Sequence, residues 1–164
     1  MGVSTERTVR DALIAAIQAV SVSLGFDDTG GNVRVYPMEI HPIERVADYL
    51  AAQVGGEQTQ RAWAVDVKAL DQPFAMNSIQ KRTYHVAITG YYAKDAAGEN
   101  YLAMIDHARV IRGAVVGMGP TLNGTVSFIN SSTQLSVVER DNTNAGKLLV
   151  GTMTYTATRE NPDF

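Results

Sequence analysis

The stretch Gln80-Lys81-Arg82-Thr83-Tyr84-His85-Val86-Ala87-Ile88-Thr89-Gly90-Tyr91-Tyr92-Ala93 decides the fold. Tyr84, Val86 and Ile88 fall on one face, and Thr83, His85 and Thr89 on the other. That period of two marks a half-buried β-strand. Upstream, from Arg61, the same period recurs: Trp63, Val65, Val67 and Ala69 alternate with Ala64, Asp66 and Lys68, and Asp71-Gln72-Pro73 closes the run. Two such runs in succession read as an antiparallel pair. Residues 71–79 then form a tip longer than the usual hairpin loop of about 2–5 residues. Toward the C-terminus, residues 149–158 carry Leu, Gly, Met, Tyr and Ala at odd positions, with Thr at every even position from Thr152. This is a third strand with one apolar face, and residues 141–146 supply the turn before it.

Two helices flank these strands. Val9, Leu13, Ala16, Ile17, Val20 and Leu24 recur at three- and four-residue spacing after a Thr5-Glu6 start, with Gly25 placed to end the helix. Leu102, Ile105, Ala108, Ile111 and Val115 make a second stripe, closed by Gly117-Met118-Gly119-Pro120. Residues 33–36 read as a short strand stopped by Pro37. Residues 38–60 are the least regular part of the chain, with room for a short helix at 43–50. Near the end, Val126 and Phe128 put apolar residues at even positions, whereas Leu135 and Val137 put them at odd ones. A bulge or turn at 130–133 would reconcile the two. The order helix, three strands, helix, two strands predicts one α+β domain over residues 1–164. Its antiparallel sheet has four to five strands, with both helices on one face and the other face wet.

Composition narrows the function classes. The chain has 164 residues, 45% hydrophobic but only 19% charged, with 14 Lys+Arg against 17 Asp+Glu and a net charge of −3. A basic nucleic-acid-binding module is disfavoured by that balance. The chain has no cysteine, so disulfides, thiolate zinc sites and cysteine nucleophiles are excluded. His41, His85 and His107 stand singly, without metal-ligand spacing, and none is assigned a catalytic, metal-binding or cofactor role. Gly117-Met118-Gly119 closes a helix, whereas a phosphate-binding glycine loop follows a strand and opens one.

A different set of residues points to partners. Gly113 and Gly117 sit one turn apart in the second helix. Each interior glycine costs roughly 1 kcal/mol relative to alanine, so something is expected to pack closely there, either the chain's own sheet or another subunit. Ten of the fourteen basic residues are Arg, the cation that interfaces favour over Lys. The tip carries Pro73, Phe74 and Met76, apolar residues that a neighbouring chain would cover.

The opening Thr8-Val9-Arg10-Asp11-Ala12-Leu13-Ile14 leads through a turn to Val33-Arg34-Val35-Tyr36-Pro37. A Trp-bearing strand, a Tyr-His-bearing strand, a middle helix and two terminal strands follow. In element order and size this resembles the tail-terminator (tail-completion) proteins at the head–tail neck of long-tailed bacteriophages. The resemblance implies a non-enzymatic virion protein made in the bacterial cytoplasm. It would form a hexameric ring that caps the tail tube, joins it to the head connector, and lets DNA pass through the lumen without specific binding. A small α+β module that binds a ligand or protein, or another neck component, is the alternative. An enzyme relying on His41 or His85 is the third.

Overall fold

A computed structural model describes residues 5–21, 34–36, 51–54, 57–73, 80–130, 134–142 and 146–160. The elements are α1 (Glu6–Ser21), β1 (Arg34–Tyr36), β2 (Ala51–Val54), β3 (Glu57–Pro73), β4 (Gln80–Ala93), α2 (Glu99–Gly117), β5 (Phe128–Ile129), β6 (Ser136–Asn142) and β7 (Gly146–Glu160). The architecture is α+β, built on the antiparallel strands β3, β4, β7 and β6. The sheet runs β1-β3-β4-β7-β5, with β2 also paired to β3 and β6 to β7. Short pieces at both edges therefore bring the strand number above the expected four or five. One of them, β1, pairs parallel to β3; residues 37–56 between them are long enough for the crossover a parallel pair requires.

The strand β4 spans residues 80–93, as its alternation predicts. β3 begins four residues ahead of Arg61, because residues 57–60 pair with β2. The expected helix at 43–50, and the Leu24-Gly25 end of α1, lie outside the described residues. The bulge or turn expected at 130–133 falls mainly outside the described residues; on either side of it β5 and β6 lie along the same edge of β7 with registers two residues apart. An even slip keeps Ile129, Leu135 and Val137 together against the core.

The core lies between the helices and one sheet face. Trp63, Val65, Val67, Tyr84, Val86, Ile88, Met153 and Tyr155 are buried there, together with Val9, Leu13 and Ile17 of α1. Thr5 starts α1 by accepting the Thr8 amide on its hydroxyl (3.1 Å), as an N-cap residue does. The Glu6 carboxylate then accepts the Ala69 amide at 2.9 Å, tying the helix start to β3.

Two glycines hold the thickest part of this core. Trp63, Gly90, Gly151 and Val137 form one row across β3, β4, β7 and β6. A Cβ on Gly90 would stand 2.9 Å from the Trp63 ring, and one on Gly151 would stand 2.6 Å from Met104 Sδ. The indole and the α2 methionine occupy the space these side chains would fill.

Two expectations need correction. The opposite sheet face is not wet throughout, since Ala62, Ala64, Tyr91, Leu148 and Val150 form a second buried cluster there. Elsewhere that face is exposed, at Lys68, His85 and Thr154 and at Val138 of the β6 edge. The second correction concerns α2, whose buried face is Asn100, Met104, His107, Ala108, Ile111 and Val115. Leu102 is 56% exposed and Ile105 only half-buried, so neither forms part of the expected stripe. The helix is turned so that two polar residues enter the interior, where partners await them.

Candidate functional site

Those polar residues belong to a chain of contacts joining α2 to the sheet. The α2 start is capped by Asp95, whose carboxylate accepts the amides of Glu99 and Asn100, each at 3.2 Å. Gly98, immediately before the helix, adopts φ 73°, a left-handed conformation that favours glycine. Capping holds Asn100 over the end of the sheet. There its Oδ1 accepts two hydrogen bonds from the Arg61 fork (2.8 and 2.7 Å), and its Nδ2 donates to the Ala93 carbonyl (2.7 Å). The Arg61 guanidinium also lies 5.8 Å from the centre of the Tyr92 ring, within cation–π range.

Two turns along the helix, His107 meets the same tyrosine. Trp63 Nε1 donates to the Tyr92 hydroxyl oxygen at 2.8 Å, and that hydroxyl is hydrogen-bonded to His107 Nδ1. The Tyr92 hydroxyl is thus shared between the indole donor and the imidazole ring. Burial lowers the His107 pKa to about 4, and the Arg61 charge adds to the lowering against the opposing effect of Asp106. Burial likewise pushes the Tyr92 hydroxyl far up, outweighing the Trp63 hydrogen bond and the Arg61 charge.

A tyrosine held protonated and a histidine held neutral below the surface make a rigid joint. Neither side chain lines the clefts beside Leu70, around Asp66 or at the α2 C-terminus. This joint was not visible in the sequence, where His107 reads as an isolated histidine. Its one signal is spacing: Asn100, Met104, His107, Ile111 and Val115 recur at three and four residues, a second stripe that a search for apolar side chains passes over.

The residues singled out as partner contacts separate into two groups. Pro73 is the last residue of β3, paired with Gln80, while Phe74 and Met76 lie outside the described residues. Gly113 and Gly117 are both exposed, and a Cβ on either would meet nothing within 4 Å. Close packing of these glycines on the chain's own sheet is thereby overturned. Between them Val116 is 73% exposed, the most exposed of the large hydrophobic residues described. With Leu102, Asp106, Arg109 and Pro120, these positions form the outward face of α2 and the turn after it. Its one ion pair, Asp106 with Arg109 at 3.6 Å, joins two exposed side chains and contributes little to stability.

Clefts of different character open among the described residues. One of about 610 Å³ lies between the start of α1 and the ends of β3 and β4, beside Glu6, Arg7, Leu70 and Arg82. A smaller one of about 180 Å³ lies on the helix-free face around Asp66, Thr89 and Arg140. The third is a mainly apolar groove at the α2 C-terminus. Among the described residues no three His, Asp or Glu gather as a metal site requires. No helix there is long and apolar enough to cross a membrane. No family model matches the chain, and no curated protein matches it.

Proposed function

We propose that the chain is a structural, non-enzymatic ring subunit of the head–tail neck of a long-tailed bacteriophage, a tail terminator that caps the tail tube and meets the head connector. The observation that carries this reading is the bare face of α2. Gly113, Val116 and Gly117 lie open in a chain with few charges, and glycines that cost helix stability without serving the chain's own packing are explained by a neighbour that needs the space. The apolar residues Pro73, at the end of β3, and Phe74 and Met76 next in sequence support the same reading, as do the preference for Arg over Lys and the resemblance in element order.

Solution mass tests it. Light scattering on the purified chain, with negative-stain images, is expected to give closed rings of about six subunits. A chain that stays monomeric at high concentration, with no rings on the grid, would refute the assembly. The competing reading, a small ligand-binding module, draws on the groove at the α2 C-terminus and predicts a monomer that binds.

A further inference from the structure

Asn123-Gly124 is the one Asn-Gly step in the chain, and it lies in the turn that follows α2. Both residues are exposed, while Leu122 before them is buried and anchors the turn in the core. Leu122, Asn123 and Gly124 have φ values of 46°, 55° and 85°, a short left-handed run of the kind that Gly and Asn tolerate best. Hydrogen bonds hold the step from both sides. The Asn123 amide donates to the Met118 carbonyl (2.9 Å), and the Gly124 amide donates to the Thr121 carbonyl (3.0 Å) and hydroxyl (3.3 Å). Arg159 Nη1 donates to the carbonyls of Gly124 (3.4 Å) and Thr125 (3.1 Å). An asparagine before glycine carries its own nucleophile: the next amide nitrogen reaches the side-chain carbonyl carbon, since glycine has no Cβ to obstruct the approach.

We infer that Asn123 is a site of spontaneous deamidation whose rate is set by opening of this turn. A bond forms between Gly124 N and Asn123 Cγ, the Cγ–Nδ2 bond breaks, and ammonia leaves with the Gly124 amide proton. Water then opens the succinimide ring at either carbonyl, leaving aspartate or isoaspartate at position 123. In the closed turn the attacking nitrogen is engaged as a donor to Thr121, so the ring forms only from a locally opened state. Isoaspartate adds a methylene to the main chain, and the spacing of the bonds to Met118, Thr121 and Arg159 does not accommodate it. The inference holds for a ring subunit and for a monomer alike, and its failure would leave the assembly reading untouched.

Incubation of the full chain at mildly alkaline pH, folded and unfolded in guanidinium chloride, tests it. Peptide mapping by mass spectrometry reads the exchange of amide for acid, and an isoaspartyl methyltransferase reads the isoaspartate. The folded chain is expected to convert at Asn123, while Asn100, buried and bonded to Arg61 and the Ala93 carbonyl, keeps its amide. The unfolded chain should convert at Asn123 at least about tenfold faster, as a locally closed turn implies. Thr121→Val, an exposed change that removes only the hydroxyl acceptor, should speed the folded chain about twofold or more and leave the unfolded rate unchanged. No conversion in the folded chain while the unfolded chain reacts to completion, equal rates in the two, or an unchanged folded rate in Thr121→Val would each overturn the assignment.

Discussion

His107 is the residue whose surroundings have the clearest measurable consequence. Its folded pKa of about 4 lies below the ordinary 6.5, so the unfolded chain takes up a proton before the folded one does. The contribution is complete above pH 6.5 and is lost progressively as pH falls from there to about 4. Urea midpoints should therefore fall over that window, and His107→Gln should flatten the fall; an unchanged slope would remove His107 as its cause. Gly90 and Gly151 make a second residue-level test. A methyl at Gly90 meets a buried indole ring, whereas one at Gly151 meets first the sulfur of a flexible methionine. Gly90→Ala should cost about 1–3 kcal/mol, as overpacking does, and Gly151→Ala less. Thermal or chemical melts that reverse this order would show that Trp63 yields more easily than Met104.

Among the elements, α2 departs most from its apolar pattern. Leu102 and Ile105 suggest one face, yet the buried face includes Asn100 and His107, because Arg61, the Ala93 carbonyl and Tyr92 satisfy their polar atoms. Burying a polar side chain is costly only when its hydrogen bonds are lost, and the sequence does not reveal which distant residue will supply them. Asn100→Ala should remove the acceptor of the Arg61 fork and cost about 1–3 kcal/mol. Amide exchange should accelerate in the first turn of α2 before the rest of the helix. Uniform acceleration along α2 would show that the Asp95 cap, rather than Asn100, holds the helix start. The strands were read more reliably, since Tyr84, Val86 and Ile88 share a face through the pleat alone, whatever packs on them.

At the scale of the whole molecule, the α2 glycines connect stability with assembly. A side chain at Gly113 meets nothing in the chain and relieves a helix of glycine, so Gly113→Arg should raise monomer stability by about 0.5–1 kcal/mol. On the assembly reading the same change should abolish rings. Intact rings with a bulky residue there would move the interface elsewhere, and Phe74→Asp would then test the tip. A ring that conducts DNA must also avoid gripping it, since phosphate contacts from Lys and Arg bind tightly and in a salt-dependent way. With a net charge of −3, duplex DNA at low salt should bind no tighter than micromolar; steeply salt-dependent submicromolar affinity would refute a passive conduit. The sequence by itself determined the α+β class, the β4 span, and the shared core face of Trp63, Val65, Val67, Tyr84, Val86 and Ile88. These follow from local geometry, as a strand alternates every second residue and a helix returns every three or four. Only the tertiary structure decided that β1 runs parallel to β3, that the helix-free face is buried around Tyr91, and that α2 turns Asn100 and His107 inward. Each of those depends on a partner distant in sequence, so no local period encodes it.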